Sequence, residues 1–332
     1  MMTRLPTLHE VYRARSRIAP MVLRTPLLAS TALAEKTGAR AVCLKLECQQ
    51  HTGAFKVRGA ANKILSLSDE EKKRGVITFS TGNHGRAVAY VAGKLAIRAV
   101  VCLSEHVARY RTEAIRKLGA HVSVKGRSQD EAEKYYQDLT TAEGMVPVVP
   151  FDDPMIIAGQ GTIALEILAT LPDTDVLMVP LSGGGLLAGI AMAAKSIHPG
   201  IHIVGLSIER SPAMLESLKA GRPVQVEEKD TVADSLLGGI GQVNRYTLPL
   251  VEKYTDEHLI ISEAEIRNGM LHVFEHHRLI VEGAGAVGVG ALLNQRLNVK
   301  GKTVVTVLSG NSVDSKQYVS IIQSGLTNQL PT

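Results

Sequence analysis

Lys56 lies in the run Thr52-Gly53-Ala54-Phe55-Lys56-Val57-Arg58-Gly59-Ala60. Lys56 and Arg58 both fall where the helix FKVRGAANKIL is expected to begin, and cations are disfavoured at a helix N-terminus. A lysine held there has a lowered pKa, which suits a Schiff-base nucleophile. The plainer alternative is a solvated lysine at a helix start. Three polar or glycine-rich turns accompany it, each after an apolar run. They are Ser80-Thr81-Gly82-Asn83-His84-Gly85, Ser182-Gly183-Gly184-Gly185-Leu186 and Ser309-Gly310-Asn311-Ser312.

Glycines at such turns let backbone N–H groups approach an anion, and a following helix N-terminus favours negative charge. Gly183 to Gly185 open the helix LLAGIAMAAK and so make a phosphate cradle, although a purely structural turn has the same composition. The turn is neither GxGxxG nor GxxxxGK[ST], which argues against dinucleotide and triphosphate binding.

These turns need strands to hold them. The runs at 41–47, 75–80, 98–103, 121–124, 175–180, 202–207 and 302–309 are rich in Val and Ile, and most lack polar alternation. Such runs fit strands buried on both faces. Helical stretches at 85–95, 108–118 and 128–142 separate some of them. Strand–helix alternation predicts parallel α/β layers, with ligands at the carboxyl ends of the strands. Ser262 and Glu265, flanked by Ile261 and Ile266, predict a capped helix starting near Glu263. The chain runs only about twenty residues past its last predicted strand, so no appended regulatory domain is expected.

Composition narrows the function classes. The chain has 332 residues, 45% hydrophobic and 21% charged, with a net charge of +5. The basic residues are scattered and there is no tryptophan, so neither a basic stripe nor a stacking platform for nucleic acid is evident. Cys43, Cys48 and Cys102 form no C-x-x-C pair, and Cys43 and Cys102 sit in apolar runs expected to be core. No apolar segment reads as a signal peptide or reaches the ~18 residues of a membrane span. The expectation is a reducing, cytoplasmic enzyme with neither nucleic-acid nor membrane partners.

The motifs in their order resemble the fold-type II pyridoxal-phosphate (PLP) enzymes, in the threonine/serine dehydratase and serine racemase branch. TGAFKVRGA is similar to that family's lysine motif, and STGNHG to its asparagine loop. IAGQGT (157–162) and VPLSGGGLLAG (179–189) resemble its central stretch and phosphate loop. VEGAGAVG (281–288) and VLSGNSVD (307–314) resemble its two C-terminal site segments. STGNHGR, ADSLLGGIG and VLSGNSVD together also resemble the dehydratases associated with hydroxyectoine degradation.

The resemblance implies a tryptophan synthase β-like fold of two parallel-sheet α/β domains with PLP in the cleft. Residues 1–70 and 152–327 would form the larger PLP-binding domain, and 71–151 a smaller domain carrying the asparagine loop. Lys56 would hold PLP as a Schiff base, with Phe55 beside the ring. Asn83 would bond the ring hydroxyl, and Gly183, Gly184, Gly185 and Leu186 the phosphate. Ser309 would face the pyridine nitrogen and Glu282 the cofactor's other side, unless Glu282 serves only as a helix-start acid. Thr81, Gly82, Asn83 and His84 would hold the substrate carboxylate, and the assembly would be a homodimer or homotetramer.

The implied reaction is elimination of water from a 3-hydroxy amino acid such as threonine, serine or a hydroxyectoine-derived amino acid. Lys56 would take the Cα proton, the β-hydroxyl would leave protonated by the cofactor phosphate, and hydrolysis would give a 2-oxo acid and ammonia. A serine rather than an acid at 309 cannot hold a proton on the pyridine nitrogen, which favours prompt elimination over transamination.

Several positions depart from the family pattern. Ala54 stands for its usual serine, Ser182 for the first of four glycines, and Ala233-Asp234-Ser235 for Ala-Asp-Gly. Asn311-Ser312 stands for Gly-Asn. Thr81 occupies a position that is serine in racemases, where it delivers a proton opposite the lysine; the β-branched side chain restricts that role. The racemase branch binds a divalent metal through a Glu, a carbonyl and an Asp. Glu209 and Ala213 match, but Leu215 replaces the Asp, so no metal is expected. Racemisation, β-replacement, a nicotinamide oxidoreductase using GGGLLAG and a catalytically dead amino-acid sensor stand as rivals.

Overall fold

The computed structural model describes residues 4–80, 82–103, 109–124 and 129–327. Its strands in chain order are β1 (Leu27–Ala29), β2 (Ala41–Lys45), β3 (Val76–Phe79), β4 (Ala99–Leu103) and β5 (His121–Val124). They continue with β6 (Val146–Pro147), β7 (Val176–Pro180), β8 (His202–Ile208), β9 (Glu257–Ile261) and β10 (Thr303–Val307). One sheet has six strands in the order β1-β2-β10-β7-β8-β9, and the other has four in the order β5-β4-β3-β6. Every pair is parallel except β1 with β2.

The runs without polar alternation are strands covered on both faces. Along β7 and β10, Leu177, Val179, Val305 and Val307 join one core with helices Pro154–Thr170 and Gly185–Ile197. The residues between them, Val176, Met178 and Val304, join a second core with helices Glu263–His277 and Gly283–Leu293. Each fully buried Val, Leu or Ile contributes roughly 1.5–3 kcal/mol, whereas one helix cap contributes about 1. Burial across the strands therefore outweighs any single terminal signal in setting these layers.

All seven predicted runs contain a strand. Three further strands escaped the sequence pattern. β1 and β6 have three and two residues, too few to show a period. β9, at the sheet edge, mixes polar and apolar residues that are mostly half-buried. The Ser262–Glu265 capping box is present, and its helix begins at Glu263. Cys102 is buried as expected, but Cys43 is only half-buried, and all three cysteines are free thiols.

Strand order also sets where a site can form. β10 lies between β2 and β7, so the segments leaving these three strands emerge side by side. β3 lies between β4 and β6 in the other sheet, and helix Asn83–Lys94 starts shortly after it. Helix Lys56–Leu65 contributes Val57, Ala60, Ala61 and Ile64 to the core under that second sheet.

Candidate active site

Lys56 is the first residue of its helix, as its motif predicts. The chain entering it is laced to the segment after β10. Phe55 N–H donates to the Ser309 carbonyl (3.0 Å), and Asn311 N–H to the Gly53 carbonyl (2.9 Å). Ala54 and Gly310 form an antiparallel bridge. Gly53 has φ +74, and a Cβ there would collide with the Asn311 side chain, so this crossing demands glycine. Buried Ser309 thus lies beside the residues that present Lys56.

The Lys56 ammonium donates to the Pro150 carbonyl at 2.9 Å and stands 5.2 Å from the centre of the Phe55 ring. Its pKa is pushed down to about 8 by loss of solvent, partly offset by the Glu282 carboxylate. The expected helix-terminus effect is therefore not the main cause. Arg58, the other cation placed at this helix start, is fully buried and serves a different purpose. It pairs with Glu47 (2.8 Å) and Glu166 (2.7 Å), and Lys45 also pairs with Glu166 (2.5 Å). Burial alone would raise the Glu47 pKa, but Arg58 holds its carboxyl below the usual range. Glu47 lies 11 residues from Arg58 and Glu166 lies 108 away, so no local sequence pattern announces the network.

Glu282 immediately precedes helix Gly283–Leu293, but its side chain makes no cap bond. It instead accepts both Asn83 Nδ2 contacts (2.9 and 3.0 Å) and the Ser312 N–H (3.1 Å). Burial raises its pKa to about 7; Asn83 opposes the rise and Asp234 adds to it. Asn83 Oδ1 is buried without a partner. His84 Nε2 meets the Val148 carbonyl at 2.9 Å. Burial first, then the Lys56 charge, pushes its pKa down to about 3, so the ring is neutral. Gly82 precedes helix Asn83–Lys94, and among the described residues no atom lies within 4 Å of where its Cβ would be. Thr81 lies outside the described residues.

The turn Ser182–Leu186 has the backbone of a cradle. Gly184 has φ +86, and helix Gly185–Ile197 follows it. A Cβ on Gly183 would enter the Phe151 ring, and one on Gly185 would lie 3.0 Å from Phe151 Cα. Gly185 and Leu186, in the first helical turn, have no intrahelical acceptor for their N–H groups. Phe151 was not anticipated because it precedes the helix from which the IAGQGT stretch comes.

At the other doubtful positions, Glu209 accepts the Glu263 N–H (3.1 Å), and Leu215 is buried in the core. Among the described residues, no group of three or more His, Cys, Asp or Glu converges as a metal site. No described helix is long and apolar enough to cross a membrane.

These groups suit a phosphorylated pyridine aldehyde. The glycine turn brings backbone N–H groups to a helix start, where they favour an anion, while Phe151 and Met214 fill the places its side chains would take. Lys56 loses its proton near pH 8, and Asn83 keeps a buried, unpartnered oxygen.

Comparison with known proteins agrees with that chemistry. The family model described as "Pyridoxal-phosphate dependent enzyme" matches residues 18–310. A Sinorhizobium fredii protein assigned by name as a threonine dehydratase is 46% identical over 95% of each chain. L-threonine ammonia-lyase of Thermotoga maritima is 42% identical over 96% of this chain and 79% of its own. The structure of maize serine racemase superposes with a TM-score of 0.90 at 31% identity, covering 98% of this chain and 99% of that one.

Proposed function

The chain belongs to the pyridoxal-phosphate-dependent enzymes, and from that premise we propose that it removes water from a small 3-hydroxy amino acid, threonine or serine first, releasing a 2-oxo acid and ammonia. The observation that carries this reading is Lys56: a buried lysine with its pKa lowered to about 8, held beside the Ser309 segment and within electrostatic reach of the Glu282 carboxylate. PLP, when bound, draws electrons from the substrate's Cα and so loosens its proton. Lys56 would hold the cofactor through its amine, and once the substrate's own amine has displaced it, the freed Lys56 amine would take that proton as general base. Phe55 flanks the ring, and Glu282 serves its other side.

The N–H groups of Gly183, Gly184, Gly185 and Leu186 bind the phosphate. Ser309 would meet the pyridine nitrogen without charging it, and the unpartnered Asn83 Oδ1 would accept from the ring hydroxyl. Thr81, Gly82, Asn83 and His84 receive the substrate carboxylate, with His84 neutral so that it adds no charge there. The same reading includes a cytoplasmic homodimer or homotetramer, which sedimentation at micromolar concentration tests.

The test is a screen for ammonia and 2-oxo acid across L-threonine, L-serine, 3-hydroxyaspartate and hydroxyectoine-derived amino acids. Equal yields of both products from at least one substrate support the proposal. The likeness to maize serine racemase favours racemisation as the second reading. D-isomer formation without ammonia in the same assay would select it over dehydration.

A further inference from the structure

Helix Glu263–His277 ends in the run His272-Val273-Phe274-Glu275-His276-His277. Residues four apart share one face of a helix, and the His272 and His276 rings stack there, centroids 4.1 Å apart at 28°. His272 is only 9% exposed, and its Nε2 has no hydrogen-bond partner. His276 is exposed, so its ring can be reached by a cation from solvent. His277 stands edge-on to His272 at 6.1 Å, with its own Nε2 on the Ser30 hydroxyl at 3.0 Å.

We propose that His272 and His276 form a two-histidine chelate for a borderline transition-metal cation of the Zn2+, Ni2+ or Cu2+ class. Imidazole suits these ions, whereas Mg2+ and Ca2+ want oxygen ligands. A histidine pair at i and i+4 on a helix is an established spacing for shared coordination. The remaining positions fall to water, in keeping with the absence of any larger donor group among the described residues.

The scaffold is rigid. One turn earlier, Gly269 packs against helix Gly283–Leu293 so closely that a Cβ would lie 2.6 Å from the Ala286 carbonyl.

The test uses PLP-loaded protein stripped with EDTA and titrated with ZnCl2 in a calorimeter, with MgCl2 in parallel. We expect one Zn2+ per chain and no Mg2+ binding. H276A and H272N should each weaken Zn2+ binding roughly 100-fold, the scale by which two linked donors outperform one. H277A should bind as the wild type does. Because H276A alters an exposed side chain, misfolding does not confuse its result. Cu2+ electron paramagnetic resonance should show two coordinating imidazole nitrogens in the wild type and fewer in H276A. Wild-type Zn2+ affinity in H276A, or no Zn2+ binding by the stripped wild type, overturns the proposal and leaves the histidine stack as packing alone.

Discussion

Glu282 is held near neutrality by burial while it accepts three hydrogen bonds. Its folded-state pKa of about 7 lies above the ordinary 4.5. The folded state therefore binds its proton more tightly than the unfolded chain does. Stability is unaffected by this group below about pH 4.5, falls as pH rises toward 7, and stays lowered above that. Glu282→Gln removes the titration. In PLP-free protein, melting temperatures from pH 4.5 to 8 should show the variant gaining on the wild type as pH rises. Parallel curves would show that Glu282 titrates normally. At Ser309 the question is chemical. Ser309→Asp should keep PLP bound but divert turnover toward transamination or inactivation, because an acid there keeps the pyridine nitrogen protonated and the carbanion longer-lived. Product analysis checks this: clean dehydration without side products counts against the placement of Ser309.

At the scale of the elements, helix Lys56–Leu65 is anchored by Arg58 between Glu47 and Glu166. Arg58→Met leaves the fully buried Glu47 without its cationic partner, while Glu166 keeps only Lys45. Breaking a buried pair from one side typically costs about 3–5 kcal/mol, and urea unfolding should register that order of loss. A change within about 0.5 kcal/mol, the size of an ordinary surface substitution, would mean that the network relaxes without Arg58. The glycine turn makes a second prediction. In Gly183→Ala the new methyl meets the Phe151 ring, an overpacking that costs about 1–3 kcal/mol. PLP affinity, followed by fluorescence titration, should fall in the variant and recover in part when Phe151→Leu is added. Undiminished affinity in the single variant would place the phosphate elsewhere.

For the molecule as a whole, what could be read from the sequence divides along physical lines. Buried parallel strands carry their signal in nearly every residue, so β3, β4, β7, β8 and β10 were legible; β2 and the edge strand β5 were legible too because each still falls in an apolar run. Short or edge strands such as β1, β6 and β9 carry little. The glycine turns and Lys56 were legible because each packs its chemistry into a few adjacent residues. The buried network of Lys45, Glu47, Arg58 and Glu166 was not, since its members meet only after folding. Neither was the cause of the Lys56 pKa, which comes from burial that no local pattern displays. The two sheets are joined at the site by Asn83 with Glu282, Arg86 with Ser312, and Arg111 with Asp234. Each of these ties pairs segments more than a hundred residues apart.

That convergence puts the central claim on Lys56, and ammonia release tests it most directly. PLP-loaded wild type and Lys56→Ala should be assayed side by side with L-threonine and L-serine, scoring ammonia and 2-oxo acid together. The wild type should release the two products in equal amounts, and the variant should release neither above background. Turnover by Lys56→Ala at the wild-type rate would contradict the account, because another group would then be removing the Cα proton.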